Sequence, residues 1–560
     1  MGANKQDRYT LGAGRRGWRL HAALGMLGDM SKPLAVSLAV ALLVVGAVDT
    51  GWLVASSRAA DGAALEAAVA TITAGELREH AGFLADDTLE GRAAGSRGGR
   101  AAARYLESRM KSAGLHPAGE QGGYQQRFSP AYVNLLGKLP GVDPGLKNEV
   151  VVVGAHYDHV GYGNRRNSNG PIGYIHNGAD DNASGVAALL EVIDALDRTD
   201  WQPRRTIIFA FWDGEEINLL GSRHWVRQPT VPLASVRLAI SADMLGRMAG
   251  GRLEVEGTRT GVGLRKLLSS RRLPPEMWLD FTWEYKENSD HWPFYEAGIP
   301  SLLLHTGVHE DYHRPSDDVE KLNIEGLRRA AAYALETVCR VADAEELPPF
   351  RPAARSETAF ARREREAPLP PLPPRLGLRW RWQEGDADAD PPSAIISRLE
   401  SGGAAEQAGL RVGDRITAVD GMPLEAEALL PAAVLRAGER VTLTLVRGGE
   451  APRDVAVALV GKPMGLGISW REDSAAPDAV YLTRVVPYSP ADRAGLAVGD
   501  RIYAVNGEPL ADGRAFLQRV KSLIDAGAES IQFDVESFGR VRTIDVDLRL
   551  PGRPPEDATL

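Results

Sequence analysis

Between about Ala74 and Ala344, short β-branched runs alternate with longer stretches of helical period, the pattern of an α/β domain built around a largely parallel sheet. Four apolar runs read as buried strands: Val150 to Val153, Thr206 to Phe211, Leu238 to Ile240 and Ile299 to Leu304. Between the first two, Val186, Leu189, Leu190, Ile193 and Leu196 recur at three and four residues. That spacing gives a helix one apolar face, with Asn182 or Ser184 as its cap.

The pattern breaks at Glu345. From there to Arg375, prolines at 348, 349, 352, 368, 370, 371, 373 and 374 mix with Arg and Glu, the composition of a linker that is semi-rigid in its proline-rich part. Beyond it the chain repeats itself. AAEQAGLRVGDRITAVDGMPL at 404–424 and PADRAGLAVGDRIYAVNGEPL at 490–510 match at fourteen of twenty-one positions, offset by 86 residues. Two repeats of that length are two small domains, because solenoid units are shorter and need more copies to share a core. The predicted organisation is an N-terminal segment at 1–60, a mixed α/β domain with a largely parallel sheet flanked by helices at 61–344, a linker at 345–375, and two small β-rich domains at 376–460 and 464–550.

The N-terminal segment has its own signature. Arg15, Arg16, Arg19 and Lys32 precede an apolar run from Leu34 to Val48, shorter than the roughly 20 residues that span a bilayer and stopped by Asp49. A basic flank before a short apolar run is the order of an export signal, with small residues at Ala55, Ser57 and Ala59 as candidate cleavage sites. An uncleaved signal anchor is the other reading, and it is the only route by which this chain would meet a membrane. Either way the rest of the chain is expected outside the cytoplasm, in the periplasm or cell envelope.

Charge and cysteine content then narrow the chemistry. The net charge of −9 offers no broad basic field for phosphate backbones, so no nucleic-acid partner is expected. Cys339 is the only cysteine, so a metal must be held by imidazole and carboxylate.

Such groups recur where strands end. The first strand runs into Gly154-Ala155-His156-Tyr157-Asp158-His159, and on an extended segment His156 and Asp158 share a face, so Asp158 is placed to fix the imidazole tautomer. Gly178-Ala179-Asp180-Asp181-Asn182 opens the apolar-faced helix. The second strand leads into Asp213-Gly214-Glu215-Glu216, the third into Ser241-Ala242-Asp243, and the fourth is followed by Asp311-Tyr312-His313. Singly, each has a bland alternative: a helix cap, a solvated turn, a loop residue. Five together, at the edge where open α/β sheets bind ligands, favour one shared site.

The order and spacing of these segments resemble the M28 family of zinc peptidases, which includes bacterial aminopeptidases. The resemblance covers roughly residues 75 to 340. It also takes in Phe83-Leu84-Ala85-Asp86-Asp87, Glu90-Gly91-Arg92, Asn134-Leu135-Leu136-Gly137, Ser289-Asp290-His291 and Gly298-Ile299-Pro300. It implies two Zn²⁺ ions: His156 and Asp243 on one, Glu216 and His313 on the other, Asp181 bridging, and a cis peptide after Asp181. It makes Glu215 the general base, with Asp158 orienting His156. Three carboxylates and a bridging hydroxide would neutralise the four charges of the metals. The implied activity is peptide-bond hydrolysis on peptide or protein substrates, most simply as an aminopeptidase. The family's carboxypeptidases and glutaminyl cyclases, or a silent scaffold, are the alternatives; the cyclase branch uses one zinc, and this chain has all five ligands.

The two repeats resemble the PDZ domains of bacterial envelope proteases, in which a Gly-containing loop receives a peptide C-terminus and the peptide adds as a strand. The matching positions are Gly377 and Leu378 in the first repeat and Gly465, Leu466, Gly467 and Ile468 in the second, whose loop is the better match. The alternative is that the repeats pack on the α/β domain and bind nothing.

Overall fold

The structure, a computed structural model, describes residues 63–551 except 200, 284 and 387–389. The basic and apolar N-terminal segment and its candidate cleavage sites lie outside the described residues. Among those described, no helix is long and apolar enough to cross a membrane.

Nine strands build one sheet: β1 (His116–Pro117), β2 (Gln125–Arg127), β3 (Val133–Leu139), β4 (Val150–His156), β5 (Thr206–Trp212), β6 (Val236–Ala242), β7 (Arg252–Glu256), β8 (Trp278–Asp280) and β9 (Ser301–His305). Their order is β1-β3-β5-β4-β6-β9-β7-β8, with β2 on β3. The four strands predicted from continuous apolar runs are the central ones, β5-β4-β6-β9, and they pair in parallel. Both faces of these strands are covered, so nothing in them alternates with water. The antiparallel edges, β1 to β3 on one side and β7 with its partner β9 on the other, give the sheet its mixed character.

Helix α1 (Ala74–Leu84) and α2 (Arg97–Ser112) precede the parallel strands. Helix α3 (Gly185–Asp197) is buried from Gly185 to Leu196, packed between the sheet and both α1 and a long C-terminal helix at Ile324–Asp343. That explains why its apolar face widens into an apolar circumference. Its cap is Asn182, whose Oδ1 accepts the Gly185 N–H at 3.0 Å; Ser184 makes no side-chain cap.

Register sets the site. In the β4–β5 pair Val150 lies opposite Thr206 and His156 opposite Trp212, and in β4–β6 Gly154 lies opposite Ser241. The C-terminal ends of β4, β5 and β6 therefore share one edge, carrying His156, the Asp213–Glu216 turn and Asp243.

The 345–375 segment is more ordered than a linker. It contains a turn at Pro352–Ser356 and helix α4 (Ala359–Glu366), and it then runs extended, Leu369 donating its N–H to Thr483 O at 2.8 Å. Two β-rich domains follow, each a six-stranded sheet of antiparallel pairs. The edge strand of the first is β10 (Leu378–Gln383), facing helix α5 (Leu429–Arg436); that of the second is β11 (Ile468–Asp473), facing helix α6 (Gly513–Asp525).

The second repeat is bolted to the α/β domain. Ser270 bridges Arg540, and the Leu279 N–H donates to Phe538 O at 2.9 Å. Gly539 sits there with φ 83°, and a Cβ on it would lie 2.5 Å from the Leu279 side chain, so the close approach requires glycine. Around this contact Arg265 pairs in bidentate fashion with the fully buried Glu536 (2.9 and 3.1 Å), and Arg259 reaches both Asp473 and Glu357.

Candidate metal centre

Each side chain arrives from a different local structure. His156 is the last residue of β4; Asp243 follows β6; Glu215 and Glu216 open a tight turn after β5. Asp181 lies in the irregular segment before α3, and the Asp181–Asn182 peptide is cis, as the family resemblance implied. Asn182 ties that segment to the end of β6, its Nδ2 donating to Ala242 O and its Oδ1 accepting from Met244 N. His313 comes from the loop after β9, with its backbone in the left-handed region at φ 53°.

These residues converge on two foci. At the first, His156 Nε2 lies 3.4 Å from Asp181 Oδ1 and 3.4 Å from Asp243 Oδ1. At the second, His313 Nε2 lies 3.1 Å from Asp181 Oδ2 and 3.2 Å from Glu216 Oε2. Asp181 thus offers one oxygen to each. Ligand bonds of about 2.0–2.1 Å at tetrahedral angles set neighbouring donors about 3.3 Å apart, so both foci match zinc with imidazole and carboxylate ligands. Cys339 is buried in the long C-terminal helix and takes no part.

Electrostatics follow from crowding carboxylates in a buried place. Burial first, then the neighbouring Glu216, Asp290 and Asp243, drive the Glu215 carboxyl well above its ordinary range, against the opposing pull of His156. Burial raises Asp290 to about 7. Burial opposes charge on His313, but its hydrogen bonds with Asp181 and Glu216 lift it to about 11. His156 is raised for the same reason by Glu215 and Asp243. With protein charges alone, the imidazoles hold protons where cations would sit, which is the proton release expected on metal binding.

Asp158 acts differently from expectation. Its Oδ1 lies 3.8 Å from His156 Nδ1, whereas its backbone oxygen lies 3.2 Å away and holds the imidazole tautomer. The carboxylate instead accepts the backbone N–H of Glu215 at 3.1 Å, so Asp158 orients the residue next to Glu216. The spacing of His156 and Asp158 could not distinguish a side-chain from a backbone acceptor.

Three further residues shape the centre without having been assigned a part. Arg92, fully buried, donates to the carbonyls of Leu84, Tyr157, Asn177 and Gly178, joining the segments that carry His156 and Asp181. Asp317 Oδ2 accepts the N–H groups of Asp180 and Asp181 at 2.9 and 3.1 Å. Asp290 Oδ1 accepts from Ser222 Oγ. Arg92 and Asp290 fell within segments quoted for the resemblance, and Asp317 beside His313, but nothing in one sequence separates them from structural neighbours. The six residues singled out in the repeats stand outside this centre, at the entry to β10 and β11.

Residues 134–338 match the model of peptidase family M28, and residues 395–447 and 481–536 match that of the PDZ domain. The chain carries an M28 peptidase domain followed by two PDZ domains. Relatives of the M28 domain include leupeptin-inactivating enzyme 1 of Streptomyces exfoliatus, 29% identical over 41% of this chain and 47% of that protein. Another is aminopeptidase YwaD of Bacillus subtilis, 29% identical over 36% of this chain and 43% of its own length. The chain thus spans about half the length, or less, of the curated relatives it matches. Among solved structures, the Legionella pneumophila LapA aminopeptidase is 19% identical, with 50% of this chain and 75% of that one covered at a TM-score of 0.41.

Proposed function

We propose that this protein is an exported zinc aminopeptidase of two-metal type. The observation that carries the proposal is the pair of foci sharing Asp181: His156 and Asp243 with one of its oxygens, Glu216 and His313 with the other. Two zinc ions held there would polarise a water and the scissile carbonyl together.

The protein's own part is proton handling. Glu215 Oε2 lies 4.0 Å from His156 Nε2, beside the first focus but outside its ligand set. Its backbone is held by Asp158, and its burial makes the carboxylate a stronger base than a solvated Glu, so it takes the proton of the attacking water and returns it to the departing amine. Tyr312 stacks on His313 with 3.9 Å between ring centroids. The loop between Tyr162 and Asn177 forms a rim tied to the same place, Asn169 donating to the carbonyls of Tyr312 and His313.

Export is supported by the basic-then-apolar order of the N-terminal segment. For the PDZ domains, the favoured peptide site is a cavity of about 370 Å³ beside β10 and α5, walled by Leu378, Trp380, Leu430 and Val434 of the first domain, by Pro373 and Pro374 of the segment before it, and by Arg484, Val486 and Pro487 of the second repeat. Among the described residues β10 pairs on one side only, leaving an edge for an added peptide.

The test is elemental analysis for zinc, combined with hydrolysis of aminoacyl-p-nitroanilides with and without chelator. Glu215→Gln should keep two zinc ions and lose at least 100-fold in kcat, since a positioned base contributes about 10²–10⁴. Undiminished turnover in that variant removes Glu215 from its role, and a protein that takes up no zinc removes the whole reading.

A further inference from the structure

The geometry points to His159 as a positioning residue that fixes Glu216 as a one-oxygen ligand of the second metal focus, an inference that rests on the two-zinc reading above. His159 Nδ1 lies 2.8 Å from Glu216 Oε1, while the other oxygen, Oε2, faces His313 Nε2 at 3.2 Å. An ionised carboxylate only accepts, so in this contact Nδ1 is the donor and Glu216 Oε1 the acceptor. The two oxygens of Glu216 are thereby given different tasks. Oε1 is engaged by His159, and Oε2 is left for the ion.

The fold makes a specific place for this ring. Gly178 faces it, and a Cβ there would come within 2.4 Å of the imidazole carbons, so the wall opposite His159 has to be glycine. The His159 backbone is pinned by its N–H to Arg92 O at 3.3 Å. Arg92 in turn holds the carbonyls of Tyr157 and Gly178, on either side of the pocket. The ring also meets His313 edge-on, 5.6 Å between centroids, so it buttresses both second-focus ligands that lie off the central strands. His159 Nδ1 stands farther from the shared Asp181, 3.8 Å from Oδ2, so its influence falls on one focus.

The experiment titrates zinc into the metal-free full-length protein against a competing chromophoric chelator, for wild type, His159→Phe and His159→Asn. Phe fills the space beside Gly178 without a donor; Asn returns an N–H near the position of Nδ1. Expected is a 10- to 100-fold weaker second zinc in His159→Phe, the range found when a ligand loses its hydrogen-bond partner. The first zinc should be unchanged, and the Asn variant should recover most of the loss. In turnover, kcat of the Phe variant should fall at limiting zinc and return with excess zinc, at unchanged KM. Wild-type zinc affinities in His159→Phe overturn the inference. So does an Asn variant as weak as Phe, because the ring would then be filling space or binding the ion itself. If the Phe variant fails to fold by circular dichroism, His159→Leu takes its place in the same titration. A wild type that binds fewer than two zinc ions sinks the two-zinc reading and this inference together; a normal wild type with an unaffected variant sinks the inference alone.

Discussion

The two PDZ domains start from nearly the same sequence and end in different situations. Arg415 and Arg501 occupy the same place in the shared Val-Gly-Asp-Arg-Ile motif. In the first domain Arg415 sits opposite Val446 and reaches the exposed Asp390 at 3.0 Å. In the second Arg501 sits opposite Glu536, is buried, and joins Glu366 at 3.0 Å and the bidentate Arg265–Glu536 pair of the docking interface. The motif builds the fold in both cases. Whether the domain is bolted down is decided by residues outside the motif: Glu536 with Arg265, Asp473 with Arg259, and Asp478, which Lys266 of the α/β domain meets at 2.6 Å.

The sharpest break of this contrast is Glu536→Ala. Its carboxylate is fully buried between Arg265 and Arg501, and removing it leaves Arg265 without its bidentate partner, while Arg501 keeps Glu366. Losing one partner of a buried pair costs about 3–5 kcal/mol. The variant should melt at a clearly lower temperature and open the 345–375 segment to proteolysis. Asp390→Ala, the matching cut at the exposed pair of the first domain, should change stability by at most about 1 kcal/mol. Equal losses in the two variants would erase the distinction between the domains.

This division also marks what the sequence could tell. The four central strands were legible because each is a continuous apolar run, and three of the candidate ligands because they stand at or just past such a run: His156 ends β4, Glu216 lies in the turn after β5 and Asp243 follows β6, whereas Asp181 and His313 come from an irregular segment and a loop. Edge strands such as the three-residue β8 carry too little pattern to be seen. Segment 345–375 read as linker because its prolines mask Glu357 and Glu366, whose ion pairs with Arg259 and Arg501 are made only once the chain has folded. His159 and Arg92 were equally hidden. A hydrogen bond from position 159 to position 216 leaves no spacing to find.

Acid should separate the domains by a smaller amount. Burial resists ionisation of Asp473, but the hydrogen bonds and charge of Arg259 outweigh it and hold the carboxyl at about 2. A folded-state value below the ordinary 3.8 means that docking gains stability when Asp473 is ionised. The contribution is present above about pH 4 and is lost as the pH falls towards 2, for a total of about 2 kcal/mol. Asp473→Asn should abolish that part of the acid dependence, read as the pH profile of thermal unfolding. An unchanged profile in the variant would place the acid sensitivity elsewhere.

The smallest effect distinguishes the two grooves. Trp380 on β10 and Trp470 on β11 are counterparts, each two residues into its edge strand and next to a bulge. Trp380 lines the open apolar cavity. Trp470 closes on Phe516 of α6 at 5.7 Å, edge to face, and its ring leaves no room for a side chain at Gly513, whose Cβ would meet it at 2.5 Å. One tryptophan borders open space, and the other is already packed. Trp380→Ala should therefore weaken binding of a fluorescent peptide with an apolar C-terminal residue about tenfold, or about 1.4 kcal/mol. Trp470→Ala should leave that affinity within about twofold. If fluorescence anisotropy instead shows the second variant losing the peptide, the working groove is in the docked domain, and the cavity beside β10 is a gap between packed elements.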